Sequence, residues 1–373
     1  MSSALALALA VVVGAFLAYA NGANDNFKGV ATLYGSGTAT FRWALRWATL
    51  AQVAGSLAAL LLAEGLIAAF SGKGLVPDAV FVLRSFSLSV GLAAALTVLL
   101  ATRLGLPVST THALTGALVG AGLLAGGVSF AKLGSSFLAP LLFSPVVSLV
   151  LGGGTYLALR GVPAALGLRK ESCVCVGAEP IALAALVGGG GAPLRRLPTI
   201  TMGTTSECVE RYEGKLLGVG AQSALDGLHY ASGGVVSFAR ALNDTPKIAA
   251  TLLVGHALSP NGAIVGVLGA MAVGGYLGSR RIADTMAHKV TDMTPGQGLS
   301  ANVVTGLLVV FASKLGMPVS TTHVSVGSLL GIGVVTKRAK WRPVLGILAA
   351  WVTTLPLAAL LAAILFAIAR RVA

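Results

Sequence analysis

Charge, aromatic side chains and cysteine are all in short supply in this chain of 373 residues. Asp, Glu, Lys and Arg together make up 10% of it, aromatic residues 6%, and there are 3 cysteines. So little charge, set against 55% hydrophobic residues and a mean hydropathy of +0.88, excludes an ordinary soluble domain. The cysteines lack the spacing of a structural zinc site: Cys173 and Cys175 form C-x-C, and Cys208 lies well downstream. No G-x-x-x-x-G-K followed by Ser or Thr occurs, so ATP is not the energy source on this chain, and no H-E-x-x-H occurs. No motif gathers a nucleophile, a base and an acid, which argues against an intramembrane hydrolase. An enzyme is not expected, and no cofactor is called for.

What the chain has instead is apolar length. Stretches near the ~20 residues that cross a bilayer recur at 4–20, 47–70, 86–102, 136–159, 251–278 and 344–369. This is a polytopic α-helical protein of the lipid bilayer. Its 49 glycines suit close helix packing through small residues. A net charge of +14 would point to nucleic acid in a soluble protein. Here the basic residues lie mainly between spans: Arg42 and Arg46, Arg160, Arg169 and Lys170, Arg195 and Arg196, Arg280 and Arg281, and Lys337 to Arg342. The positive-inside rule accounts for that pattern, and no nucleic-acid partner is expected. The run 4–20 resembles a signal-peptide core. Asn24 and Asp25 follow it directly and recur in a second copy, so it counts as part of the fold.

One phrase occurs twice. Leu-Gly-Leu-Pro-Val-Ser-Thr-Thr-His at 104–112 returns as Leu-Gly-Met-Pro-Val-Ser-Thr-Thr-His at 315–323, an offset of 211 that also pairs Gly116, Gly120 and Gly122 with Gly327, Gly331 and Gly333. Asn24-Asp25 with Lys28 returns as Asn243-Asp244 with Lys247 at an offset of 219, and one indel of eight residues reconciles the two. Two homologous halves follow: a first transmembrane repeat over 1–160, an extramembrane linker over 161–215 with four glycines at 188–191, and a second transmembrane repeat over 216–373. In each repeat the Asn-Asp phrase interrupts an apolar run, at 21–26 and 243–246. Such a polar break is tolerated only where the backbone lines a cavity or protein interior. The segments opening at Pro107 and Pro318 start too polar for simple crossings and fit re-entrant helices, while the basic stretch 279–297 reads as a loop. The expected fold class is an all-α polytopic membrane protein of two homologous halves, with broken helices and re-entrant helical segments.

The repeated phrases carry chemistry. Proline suits the approach to a helix, and Ser and Thr are favoured N-caps, so helices should start near Ser109-Thr110 and Ser320-Thr321. A helix start presents unpaired N–H groups and about half a positive charge, a ready anion site. The hydroxyls of Ser109, Thr110, Thr111, Ser320, Thr321 and Thr322 add donors, and two facing starts would grip a tetrahedral oxyanion from both sides. Donors of this kind lack the full charge of Lys or Arg, which keeps release fast. Ordinary capping without a ligand explains either copy taken alone. His112 and His323 follow each trio, placed to bond a neighbouring carbonyl, reach the anion or relay a proton. Asp25 and Asp244 are carboxylates inside apolar runs, a costly placement that is by default functional. With the amide oxygens of Asn24 and Asn243 they make an oxygen-only set for a hard cation, and unwound carbonyls beside half-helix ends are how secondary transporters hold sodium. Internal ion pairs, Asp25 with Lys28 and Asp244 with Lys247, explain the same residues, and both readings can hold at once.

Gly22-Ala23-Asn24-Asp25, the later Asn243-Asp244, the twin Pro-Val-Ser-Thr-Thr-His phrases and the stretch Thr285 to Gly298, ending Thr294-Pro295-Gly296-Gln297-Gly298, together resemble the PiT-type inorganic phosphate transporter family. The resemblance covers nearly everything outside 160–215. It implies an inverted-repeat secondary transporter, multi-pass in the cell membrane, that moves inorganic phosphate with a coupling cation, sodium in some members and protons in others. Carried over residue by residue, it makes Ser109 to Thr111 and Ser320 to Thr322 the phosphate-binding turns. Asn24, Asp25, Asn243 and Asp244 match the family's Asn-Asp pairs, read here as sodium ligands. Gln52 and Asn302 stand where some relatives carry glutamate, and amide oxygens ligate a cation without titrating, which favours sodium over a proton relay. Lys28 and Lys247 appear where relatives can be uncharged, placed to balance the aspartates or touch the anion. The expectation is sodium-coupled phosphate symport, by a homodimer on family analogy. Its rivals are a proton-coupled phosphate or sulfate permease of the same fold and an uncoupled anion channel.

Overall fold

The structure is a computed structural model that describes residues 3–62, 74–81, 83–165, 172–177, 199–204, 217–253 and 259–372. Apolar runs become helices because in lipid only a helix or a closed barrel satisfies every backbone group without water. The first half holds α1 (Ser3–Asp25), α2 (Ala31–Gly35), α3 (Phe41–Leu62), α4 (Asp78–Phe81), α5 (Arg84–Arg103), α6 (Thr110–Ala125) and α7 (Phe130–Leu159), and the short α8 (Val162–Ala165) follows it. The second holds α9 (Ala221–Leu253), α10 (Pro260–Gly278), α11 (Arg280–His288), α12 (Pro295–Lys314), α13 (Thr321–Val335) and α14 (Trp341–Val372). Among the described residues seven helices, α1, α3, α5, α7, α10, α12 and α14, are long and apolar enough to cross a membrane. Their outward faces suit lipid: on α14, Leu345, Val352, Leu360 and Ile368 are exposed.

Residues Met1–Leu157 with His229–Ala373 form one compact unit, and Ala158–Leu228 forms another. The second unit carries a feature that an all-α reading does not contain, a three-stranded antiparallel sheet in the order β2-β1-β3. Its strands are β1 (Ser172–Gly177), β2 (Thr199–Thr204) and β3 (Leu217–Gly220), with Val174 opposite Met202 on one side and Val219 on the other. Cys173 and Cys175 lie on β1, and Cys208 lies outside the described residues.

Three local expectations are corrected. The phrase 243–246 breaks no helix: α9 runs through it with Pro246 in its interior. Pro246 has no N–H to give the Leu242 carbonyl, a single lost bond that a membrane helix packed on its neighbours survives. In the first half the break comes just after the phrase instead of within it. There α1 extends to Asp25, and the chain then turns, held by Lys28 N on Asp25 O and Val30 N on Phe27 O, both at 3.1 Å. The stretch 279–297 is largely helical, since α11 buries Ile282, Ala283, Met286 and Ala287 at helical spacing. The expected span over 47–70 is α3 as far as Leu62, and the remainder lies outside the described residues.

The halves interlock. Gly55 on α3 rests against the Phe238 carbonyl of α9, and Gly274 on α10 rests against the Tyr19 carbonyl of α1. Gly55 and Gly274 are 219 positions apart, as are Tyr19 and Phe238, so the same contact is made twice with the halves exchanged. A Cβ would lie 2.2 Å from the carbonyl oxygen at Gly55 and 2.1 Å at Gly274, close approaches of the kind membrane helices make through small residues. Gly274→Ala is expected to destabilise by about 1–3 kcal/mol, the usual cost of overpacking. The thermal unfolding midpoint in detergent should fall, and an unchanged midpoint would show that the crossing yields freely.

Two left-handed turns deliver the chain to the hydroxyl phrases. Gly105 (φ 71°) ends α5 and Gly316 (φ 66°) ends α12. The pattern of bonds is the same in both, Leu106 N on Ala101 O and Met317 N on Ala312 O at 2.9 Å.

Candidate functional site

Each turn leads to a serine that caps the next helix. Ser109 Oγ accepts from His112 N at 3.1 Å and Ser320 Oγ from His323 N at 3.2 Å, so α6 and α13 start at Thr110 and Thr321. The first-turn amides of the following threonines have no acceptor within their helix, which leaves two partial positive ends. These ends meet. Thr111 Oγ1 donates to the Val319 carbonyl at 3.3 Å and Thr322 Oγ1 to the Val108 carbonyl at 2.7 Å, so each start bonds the turn that leads into the other. The rings of His112 and His323 lie 4.6 Å apart. His323 Nδ1 meets the Leu141 carbonyl at 3.2 Å, and its ring stacks on Trp351, whose Nε1 donates to the Pro107 carbonyl at 3.0 Å. Carbonyl bonding, the plainest role expected of these histidines, is the one His323 fills.

The Asn-Asp pairs arrive at the same place on α1 and α9. Lys28 Nζ bonds Asp25 Oδ1, Thr322 Oγ1, Asn24 Oδ1 at 2.9 Å and the Val108 carbonyl at 2.8 Å. Lys247 Nζ repeats three of these contacts with the halves exchanged, at 2.9 Å from Thr111 Oγ1, 3.0 Å from the Val319 carbonyl and 3.6 Å from Asp244 Oδ1. Both expected ion pairs are therefore present. Asn24 Nδ2 donates to Thr102 Oγ1 at 2.9 Å and to the Leu106 carbonyl at 3.1 Å. Asn243 Nδ2 donates to Asp244 Oδ1 at 3.0 Å and the Val319 carbonyl at 3.2 Å, while its Oδ1 accepts from Ser313 at 3.4 Å. Thr321, like the other hydroxyl residues of the two turns, is buried.

Two residues of the cluster escaped the sequence reading. Asn21 Nδ2 lies 3.1 Å from Asp25 Oδ2, 3.2 Å from Asp244 Oδ2 and 2.9 Å from Thr110 Oγ1, so one amide ties the two carboxylates together. Its Oδ1 accepts from Arg240 Nη1 at 3.1 Å. Asn21 and Arg240 are themselves 219 positions apart, at matching places three residues upstream of the Asn-Asp pairs. Gln52 and Asn302 are bonded elsewhere, Gln52 Nε2 to Ser56 Oγ at 3.1 Å and Asn302 Nδ2 to Ser232 Oγ at 3.3 Å.

Among the described residues the buried Asp, Glu, Lys and Arg side chains are Asp25, Lys28, Arg240, Asp244 and Lys247, all of them here. The hydroxyl turns, read from the sequence as donors without full charge, lie beside two full charges. Thr111 and Thr322 each have an ammonium within 2.9 Å of their hydroxyl oxygen.

A model of the phosphate transporter family, PHO4, matches residues 21–362. Inorganic phosphate transporter 2-1, chloroplastic, of Arabidopsis thaliana is 26% identical over 95% of this chain and 70% of its own. The protein named "Putative phosphate permease TK2061" in Thermococcus kodakarensis is 26% identical over 97% of both chains. A solved structure named "The sodium-dependent phosphate transporter" shares the fold, with a TM-score of 0.73 over 99% of this chain and 100% of the other at 20% identity. Because the family model spans residues 21–362, most of the chain, the chain belongs to the phosphate transporter family of PiT type, and is a multi-pass protein of the cell membrane that carries phosphate by secondary active transport and is not an enzyme.

Proposed function

We propose that phosphate passes between the starts of α6 and α13, and that the Asn24-Asp25 and Asn243-Asp244 pairs form two cation shells that couple its movement. The crossed bonds from Thr111 to Val319 and from Thr322 to Val108 carry this reading, because they bring hydroxyls and first-turn amides of both halves to one point beside both carboxylates. In it Ser109 and Ser320 fix the turns, and Thr110, Thr111, Thr321 and Thr322 supply the donors. Helices of 16 and 15 residues are about 24 and 22 Å long, short of the ~30 Å hydrocarbon core, which supports re-entrant segments entering from opposite sides of an inverted repeat. Residues 1–160 and 216–373 are then the two repeats, joined by an extramembrane linker over 161–215. The homodimer rests on family analogy, and light scattering of the protein in detergent tests it.

Two cations suit the shells. Free sodium is the ion expected from their oxygens, with Asn24, Asp25, Asn243 and Asp244 as ligands. The ammoniums of Lys28 and Lys247 are the other, and each already contacts its shell. Uptake of labelled phosphate into proteoliposomes, with sodium and pH gradients imposed separately, tests the transport reading. Accumulation under neither gradient would leave the uncoupled channel.

Thr111→Val and Thr322→Val each remove a donor to the buried anion. The expected loss is roughly 1.5–3 kcal/mol, or about ten- to a hundredfold in phosphate affinity, with the fold retained. Unchanged affinity in both variants would remove these turns from the site.

A further inference from the structure

We infer that Lys28 and Lys247 are themselves the cations of the two shells: each tethered ammonium stands where a sodium ion would, and phosphate binds without sodium at these positions. The inference rests on the phosphate-carrier reading above and decides between its two cations; a tethered ammonium crosses no gradient, so it leaves the coupling to protons and not to sodium in these shells.

The first ground is the surroundings of the ammonium. Lys28 Nζ has a carboxylate oxygen of Asp25, an amide oxygen of Asn24, the Val108 carbonyl and the Thr322 hydroxyl around it. An ammonium carries three hydrogens, so four oxygens are one more than it can serve singly. Mixed carboxylate, amide, carbonyl and hydroxyl oxygens are the set that holds a hard cation in a secondary transporter. A plain ion pair needs only the carboxylate. Here two of the remaining oxygens, the Val108 carbonyl and the Thr322 hydroxyl, come from the two hydroxyl turns, one from each half. Lys247 repeats the carboxylate, carbonyl and hydroxyl contacts with Asp244, Val319 and Thr111, while the Asn243 amide oxygen is taken by Ser313.

The second ground is charge. Asp25 and Asp244 face Lys28, Lys247 and Arg240, which leaves the buried cluster with one net positive charge. Uncompensated charge away from water is costly. A phosphate monoanion neutralises the cluster with no added cation. Without the two lysines the cluster would be net negative, and the same anion would leave two negative charges in place. Two free sodium ions would then be required, in the two vacated shells.

The test is equilibrium binding of labelled phosphate to the full chain in detergent, with sodium chloride replaced by choline chloride at constant ionic strength. The unchanged protein is expected to bind equally in both salts. Lys28→Ala combined with Lys247→Ala is expected to lose on the order of a hundredfold or more in choline, the scale of removing one partner from a buried charge pair, and to recover in sodium. If the double variant does not fold, Lys28→Ala and Lys247→Ala taken singly should each gain a dependence on sodium, seen as a slope of phosphate affinity against sodium concentration. Binding by the unchanged protein that requires sodium would overturn the inference and leave the phosphate-carrier reading intact. So would variants whose loss sodium does not restore. Absence of phosphate binding in either salt would overturn both.

Discussion

Asp25→Asn is expected to abolish phosphate accumulation in proteoliposomes and to lower the thermal unfolding midpoint, and Asp244→Asn to do the same. Asparagine keeps the shape of the side chain and discards its charge. Asp25 is buried against Lys28 and accepts from Asn21 and Thr110, so the change leaves an ammonium in the interior without its carboxylate. Removing one member of a buried pair costs roughly 3–5 kcal/mol, a large part of a typical stability of about 5–15 kcal/mol. Adding Lys28→Gln separates structure from coupling. The double change should recover much of the lost stability, since neither charge is then stranded, while accumulation stays absent. Recovery of accumulation would show that the pair only braces the fold, and the cation shells would have to be abandoned.

Competition experiments should show arsenate displacing phosphate well and sulfate displacing it poorly. Near neutral pH phosphate keeps one or two protons and can donate hydrogen bonds, whereas sulfate can only accept them. Helix-start amides and hydroxyls alone would bind both anions, so discrimination requires a buried acceptor. Asp25 is buried at the start of α6, its Oδ2 3.4 Å from Thr110 Oγ1, and Asp244 is buried beside it across the Asn21 amide. A carboxylate facing sulfate would be set against an oxygen lone pair, and rejection of that kind can reach about 10⁴–10⁵-fold. The cluster's single net positive charge adds to the effect, because a dianion would overshoot neutrality. Replacing an aspartate should relax the preference where that residue touches the anion. Sulfate competing as well as arsenate in the unchanged protein would favour the sulfate permease instead.

Much of this was legible because the chain states its plan twice. Helix starts at Ser109 and Ser320 could be placed because capping is local, set by a hydroxyl and the amide three residues on. The carboxylates at Asp25 and Asp244 stood out because ionisable groups are rare in apolar runs. The continuity of α9 through Asn243 to Pro246 was not legible, since it depends on neighbours that compensate a proline. The crossing of Lys28 to Thr322 and Lys247 to Thr111 was hidden for a related reason. Local spacing pairs each lysine with its own aspartate, and only tertiary structure shows that it also reaches the other half. Arg240 and Asn21 carry a signal in the same offset of 219, three residues upstream of the Asn-Asp pairs, but the two residue types differ, so the repeat does not announce them as a pair.

The exchanged glycine contacts also constrain how the molecule can be made. Tyr19 leaves the ribosome long before Gly274, the residue that packs on its carbonyl. At about 5–20 residues per second the interval is on the order of tens of seconds. Throughout it α1 lies in the membrane without α10, and the carboxylate at its end has Lys28, Asn21 and Thr110 of its own half as partners. Gly55 waits for Phe238 in the same way. A first half synthesised alone therefore lacks the surfaces on which Gly55 and the Tyr19 carbonyl pack, and is an unfinished object and not a half-sized carrier.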